Sequence, residues 1–220
     1  MFRQRYILLT LLSLLTACGN GLSNKNDSNS LDQPDTTIMN PSELDTATFG
    51  SGCFWCTEAV FQMLKGVVSA TSGYMGGTVP NPTYKQICTG TTGHAEVVRV
   101  IYDPKVIHYE ALLEAFWGSH DPTTLNRQGN DVGTQYRSVI FCHTAEQRKT
   151  AKELKADLIS RKVFDDLIVT EITDASTFYP AEDYHQEYFE LNGSEPYCQF
   201  VIRPKLEKFK KAFSDRLKEK

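Results

Sequence analysis

The sequence predicts a single α+β domain, a sandwich of helices against a mixed β-sheet rather than a doubly wound sheet. Three observations carry this. Strand-like and helix-like segments are interspersed from residue 46 onward, yet few form the strict strand-helix-strand units that build a parallel sheet. The composition, 40% hydrophobic and 23% charged over 220 residues, is that of a globular chain large enough for one well-filled core. No repeat of about 20 to 50 residues runs through it, which excludes a solenoid or propeller. The formal net charge of −4 supplies no basic face to neutralise phosphates, so no nucleic-acid partner is expected.

The first fifth differs from the rest. Arg3 and Arg5 precede an apolar run over residues 7–15, interrupted only by Thr10 and Ser13, and Leu15-Thr16-Ala17-Cys18 follows. The run is shorter than the ~20 apolar residues of a spanning helix, so residues 1–17 read as an export signal. The ending L-T-A-C resembles the lipobox of bacterial lipoproteins. It implies cleavage before Cys18 and acylation of that cysteine, with the charge of the remainder falling to −6 because two arginines and no acids are lost. Gly19, in place of the aspartate associated with inner-membrane retention, points to an outer-membrane or surface anchor. Residues 18–45, rich in Asn, Ser, Asp and Thr, bury too little apolar surface to offset their ordering entropy and are expected to form a flexible tether.

The folded domain is expected over 46–213, with 214–220 a charged tail. Residues 46–50 are a β-prone run stopped at Ser51-Gly52, and 54–64 carry apolar residues at helical spacing. Residues 67–74 form a second strand, ended by Gly76-Gly77 and a loop with Pro80 and Pro82. The A-E-V-V-R-V-I-Y run at 95–102 is the strongest strand signal, terminated by Asp103-Pro104. Residues 108–117 read as an amphipathic helix with Phe116 and Trp117 in the core. Residues 121–135 form a polar, glycine-bearing loop too long to be incidental in a compact domain. Then follow a strand at 138–142, a charged helix at 144–162 capped by Thr144 with Gln147 three residues on, and a strand at 167–172. Residues 181–191 and 205–218 close the chain, with 200–204 (F-V-I-R-P) read as apolar and packed and Phe189 as a core aromatic.

Besides Cys18 there are five cysteines, 53, 56, 88, 142 and 198, an odd number that cannot all pair within one chain. At least one sulfur is therefore free or reactive. Cys53 falls at the start of the first helix, where unpaired N–H groups and the dipole stabilise a thiolate. Cys56 is one turn on, with a Cβ separation of ~5 to 6 Å on an undistorted helix against the ~3.5 to 4.5 Å of a disulfide. A labile, redox-cycling pair fits this better than a permanent staple. Haem attachment needs a histidine after the second cysteine, where Thr57 stands; zinc needs two more ligands at short spacing, and there is no second C-x-x-C or H-x3-H. No metal is expected.

Seven motifs in order resemble the A-type peptide methionine sulfoxide reductase family: Gly52-Cys53-Phe54-Trp55, Ser72-Gly73-Tyr74-Met75-Gly76-Gly77, Pro80-Asn81-Pro82-Thr83-Tyr84, Thr92-Gly93-His94-Ala95-Glu96, His120-Asp121-Pro122-Thr123, the run 126–138 from Asn126 through Asp131 and Tyr136 to Ser138, and Tyr184-His185-Gln186. The resemblance covers about 46–208. It implies a ferredoxin-like two-layer α+β fold and reduction of the S epimer of methionine sulfoxide, free or in proteins, by a monomer with no bound cofactor. A thioredoxin-like protein or a dithiol would supply the electrons. By the same resemblance Cys53 is the nucleophile and Glu96 the acid. Tyr84, Asp131 and Tyr136 meet the substrate oxygen, and Phe54 and Trp55 wall the methyl pocket. The chemistry agrees, since attack at sulfur drives negative charge onto the oxygen, and burial would keep Glu96 protonated to meet it. Tyr74 and His94 either line the site or support it, and His185 is either a support or a core residue. Cys88 and Cys142 are bystanders. Cys56 replaces the glycine usual in G-C-F-W-G, so the resolving thiol is either Cys56 or Cys198, with the nearer Cys56 favoured. The competing enzyme reading is a C-x-x-C thiol-disulfide oxidoreductase, which leaves the acid and the tyrosines without a purpose.

Overall fold

The structure, a computed structural model, describes residues 43–219; the expected signal, the acylated Cys18 and most of the tether lie outside the described residues. Four strands form the sheet's centre: β1 (Asp45–Ser51), β2 (Val67–Met75), β3 (Ala95–Tyr102) and β6 (Ser138–Cys142). With α1 (Phe54–Gln62) between β1 and β2, and α3 (Tyr109–Ser119) between β3 and β6, the centre is ordered β6-β1-β3-β2 with every neighbour antiparallel. This is the ferredoxin-like βαββαβ arrangement that the resemblance implies. Two edge strands widen it: β7 (Glu171–Asp174) joins β6 in parallel, and β8 (Tyr179–Pro180) joins β2. That parallel edge makes the sheet mixed, as expected.

Side-chain alternation decides which residues meet the helices. Ala47 and Phe49 of β1, Val98, Val100 and Tyr102 of β3, and Ile140 of β6 face α1 and α3, in one buried core with Phe61, Leu112 and Phe116. Phe49 stacks on Phe61 at 5.0 Å and on Phe116 at 5.3 Å between ring centroids. On the opposite face Met75, Ala95, Val97, Val139 and Phe141 form a smaller cluster covered by Phe178. Glu96 shares its parity with Val98 and Val100, so the strand that builds the core also turns a carboxyl beneath α1.

The structure departs from the sequence reading at five places. The loop 121–135 holds a small hairpin, β4 (Arg127–Gln128) against β5 (Asp131–Val132), followed by a 3-10 turn at Thr134–Tyr136. The strand read at 167–172 lies further on, at β7, because pairing of Val139 with Glu171 and Cys142 with Asp174 sets it; Leu167 is 85% exposed. Residues 181–191 break into a 3-10 turn (Asp183–His185) and a short α5 (Tyr188–Leu191), divided at Glu187 with φ +51°. A π-helical turn, Cys198–Ile202, leads into α6 (Arg203–Ala212), and it buries Ile202 but leaves Phe200 82% exposed. Beyond residue 213 the expected tail turns back on the body, with Lys218 N–H donating to Met63 O at 2.9 Å and Arg216 paired with Glu114 at 2.5 Å.

Two caps are resolved. Thr144 accepts from Gln147 N–H at the start of α4 (Ala145–Ser160), while the Gln147 amide oxygen accepts from His143, one residue before the cap. The complete capping box is at α2 (Tyr84–Ile87), where Thr83 and Gln86 bond reciprocally.

Candidate active site

β1 runs antiparallel to β3 with Phe49 opposite Val98, and continuing that register brings the turn after Ser51 beside Glu96. Gly52 makes the turn at φ +91°; a Cβ there would also sit 2.6 Å from Gln128 Cβ, so only glycine fits. Gln128 in turn accepts from Asp121 N–H at 3.2 Å and donates to Asp121 O at 3.0 Å, which ties the hairpin to the turn and sets Asp131 over it.

Cys53 is the N-cap of α1, and its carbonyl accepts from the N–H groups of Cys56 and Thr57 and from the Thr57 hydroxyl. Above it opens a cleft of about 110 Å³ lined by Cys53, Phe54, Trp55, Tyr84, Glu96, Asp131, Tyr136 and Tyr197. The nucleophile, acid, oxygen partners and methyl wall named from the sequence are thus brought together in one place. Glu96, 1% exposed, accepts from Phe54 N–H at 3.1 Å. Burial, reinforced by the neighbouring Cys53, pushes its carboxyl well above the ordinary carboxylate range and so favours its protonated form. Burial also raises the hydroxyls of Tyr84 and Tyr136, keeping both as O–H donors.

Residues 45–217 match the sequence model of the family described as peptide methionine sulfoxide reductase. The chain belongs to that family. Relatives named peptide methionine sulfoxide reductase MsrA include one from Haloquadratum walsbyi, 57% identical over 173 residues that make up 79% of this chain and 98% of the relative, and one from Saccharolobus solfataricus, 53% identical over 80% and 98%. Among solved structures, reduced Mxr1 from Saccharomyces cerevisiae superposes with a TM-score of 0.66 at 35% identity, covering 75% of this chain and 94% of that one. Methionine sulfoxide reductase A of Corynebacterium diphtheriae gives 0.63 at 37%, covering 72% and 79%. The protein is accordingly an enzyme, a peptide-methionine (S)-S-oxide reductase.

In this reductase the cleft is braced from behind. Glu182 accepts from the Tyr74 hydroxyl at 2.9 Å and from Tyr84 N–H at 2.8 Å, which orients Tyr84. Tyr74 is buried behind the cleft and absent from its lining, so it supports rather than lines it. His94 likewise supports, holding the 77–79 loop through Gly77 N–H and Val79 O. His185 is buried, packs on Phe54 and Tyr84, and accepts from Trp55 Nε1–H at 3.1 Å. Phe116 and Trp117 lie in the core, Phe189 only partly so.

Tyr197 is the lining residue that the sequence reading missed. Its hydroxyl donates to Asp131 Oδ2 at 2.8 Å, joining the C-terminal segment to the hairpin, and it lies close enough to Cys53 and Cys56 to act on the titration of both thiols. The signal was its place beside Cys198, but nothing local distinguishes it from a core tyrosine. Its neighbour Cys198 is fully buried. It also lies close enough for Cys53 to act on its titration. The long stretch of chain between Cys53 and Cys198 therefore does not separate the two candidate resolvers, because folding has already closed it.

The helix start also behaves differently from expectation. Burial outweighs the dipole at Cys53 and, with the adjacent Cys56, pushes its thiol well up, while the adjacent Cys53 holds Cys56 low. Cys53 is thereby held toward its neutral thiol form. Cys142 is buried in β6, and Cys88 is exposed at the end of α2. Among the described residues no group of three or more His, Cys, Asp or Glu is placed to hold a metal ion, and no helix is long and apolar enough to cross a membrane.

A second buried carboxyl, Glu58 on α1, lies against Glu187 and Tyr188 at the start of α5. Burial pushes it up to about 7. A group whose folded value lies above its unfolded one stabilises fully at low pH and loses that contribution as pH rises through the folded value. The melting temperature is therefore expected to fall between about pH 5 and pH 8, and Glu58→Gln to flatten part of that slope. Calorimetry across this range checks it; an unchanged slope in the variant would place the titration elsewhere, Glu96 having the same sign.

Proposed function

We propose that this reductase converts the S epimer of methionine sulfoxide, free and within proteins, to methionine through a sulfenic acid on Cys53 and then a disulfide that a thioredoxin-like protein or another dithiol reduces. The carrying observation is the convergence of the Cys53 sulfur, the protonated Glu96 and the tyrosine hydroxyls on one small cleft walled by Phe54 and Trp55. The wall takes the substrate methyl, and Tyr84, Tyr136 and Asp131 surround the oxygen. As Cys53 attacks sulfur, Glu96 gives its proton to the oxygen and recovers the one that Cys53 loses. The hydroxyl passes from the substrate sulfur to Cys53 as the bond between the two sulfurs breaks and methionine leaves, and a second thiol then displaces it as water. A thiol-disulfide oxidoreductase needs neither the acid nor the hydroxyl cluster, so that reading is set aside.

Cys56, in contact with Cys53 and held low, is the first resolver in this reading; Cys198, buried and raised, can receive the disulfide afterwards. Cys56→Ser is expected to release one equivalent of methionine but to lose thioredoxin-dependent turnover, while Cys198→Ser cycles nearly normally. Turnover and peptide mapping check this. The reverse pattern assigns Cys198, and loss in both assigns a relay through Cys56 to Cys198.

The same reading takes residues 1–17 as an export signal and Cys18 as a lipid anchor, placing the enzyme in the cell envelope to repair exported proteins. The basic pair, the short apolar run and L-T-A-C support it. Cys18→Ala is expected to move the protein from the membrane fraction to the soluble one; retention in the membrane fraction would remove the anchor from Cys18.

A further inference from the structure

α6 crosses the first turn of α1, and Lys205 on it points its ammonium at the site from behind: Nζ lies 3.9 Å from Cys56 Sγ. Among the described residues Lys205 forms no ion pair with a carboxylate. A half-buried cation aimed at a sulfur rather than an acid is a costly arrangement unless the sulfur carries charge. We propose that Lys205 is a positioning residue of the resolving step, holding the Cys56 sulfur as the thiolate that attacks the sulfenic acid on Cys53. This rests on the reading of Cys56 as a resolver.

The other groups around Cys56 leave this work to Lys205 once Cys53 is oxidised. In the resting enzyme the adjacent Cys53 thiol lowers Cys56 first and the Lys205 charge second, against burial and Asp131, which raise it. After Cys53 becomes a sulfenic acid that thiol no longer exists, so its lowering effect is gone when the thiolate is needed. Asp131 opposes the thiolate, with its carboxylate accepting from Tyr197 O–H. Tyr197 lies beside both sulfurs, but burial raises its hydroxyl, which carries no charge. From the end of α3, His120 faces Lys205; burial lowers it to about 4, so it is neutral. On β3 the protonated Glu96 adds no charge, and neither does Tyr188 of α5, raised by burial. Lys205 is the cation that acts on this sulfur.

The step balances without an outside oxidant. The Cys56 thiolate attacks the Cys53 sulfur, the S–S bond forms and the S–O bond breaks, and the departing hydroxide takes one proton to become water. Cys56 is oxidised as the sulfenic sulfur is reduced.

The test uses a Cys198→Ser background, in which Cys56 is the remaining candidate resolver. One equivalent of methionine sulfoxide is added, and Cys53–Cys56 disulfide is followed by rapid quench, alkylation and peptide mapping. Adding Lys205→Met is expected to slow disulfide formation about tenfold at pH 7 and to leave it within about twofold of its parent at pH 10, where the thiol ionises unaided. Lys205→Arg should restore most of the neutral-pH rate. A Lys205→Met enzyme as fast as its parent at pH 7, or equally slow at every pH, overturns the proposal, the second outcome marking a packing role. Should the methionine variant not fold, Lys205→Gln carries the same test. If the Cys198→Ser parent releases methionine yet forms no Cys53–Cys56 disulfide, Cys56 is not the resolver and both readings fall together; if it releases none, the defect lies in the first attack and the proposal falls with it.

Discussion

Cys53→Ser is expected to form no methionine, even with enzyme in excess and a single turnover allowed. Cys53 caps α1 at the floor of the cleft and is the thiol that lines it. A serine hydroxyl there has nearly the same shape, but it is far less acidic and a far weaker nucleophile toward sulfur, so the first bond does not form. Cys56 does not replace it: it is one turn along the helix and outside the cleft lining. Methionine is measured after quenching, alongside a circular dichroism spectrum to show that the fold is intact. A full equivalent from a folded Cys53→Ser enzyme would falsify the assignment of the nucleophile.

Glu96→Gln carries the second largest effect, a slowing of the chemical step by about 10² to 10⁴ with the fold retained. Glutamine keeps the acceptor for Phe54 N–H, so the local geometry survives while the transferable proton is lost. The pH profile separates this from simple disturbance. Because Glu96 must be protonated and its folded value is raised, the wild-type rate is expected to fall on the alkaline side as pH passes that value. Glu96→Gln lacks a group to titrate and should lose that limb. Rapid-quench rates of methionine release from pH 6 to pH 10 make the comparison, and an alkaline limb that persists unchanged in the variant would give the proton to another group.

The elements legible from the sequence share one property: their signal lies within a few residues. Gly52 and Pro104 punctuate, β3 announces itself by an apolar run, and Thr144 with Gln147 marks a helix start. β7 was misplaced because an edge strand has no pattern of its own and takes its register from β6. The hairpin at 127–132 has no signature in the sequence because two-residue strands carry no periodicity. The same division runs through the site. Cys53, Glu96, Tyr84, Asp131 and Tyr136 were named from motifs, whereas Tyr197 and Lys205 matter only through what lies opposite them.

By itself the sequence determined the family, the α+β class, the place of Cys53 at a helix start and the residues gathered around it. Those follow from local chemistry, from short-range periodicity and from motifs in a recognisable order. Only the tertiary structure decided the charge states and the neighbours. Cys53 rests as a thiol because burial outweighs the helix start, Glu96 keeps its proton because the parity of β3 turns it under α1, and Cys198 is near because Tyr197 is bonded to Asp131. The physical reason is range. Propensity and motif act along the chain, while desolvation and pairing depend on whatever the fold brings alongside, and chain position does not encode that.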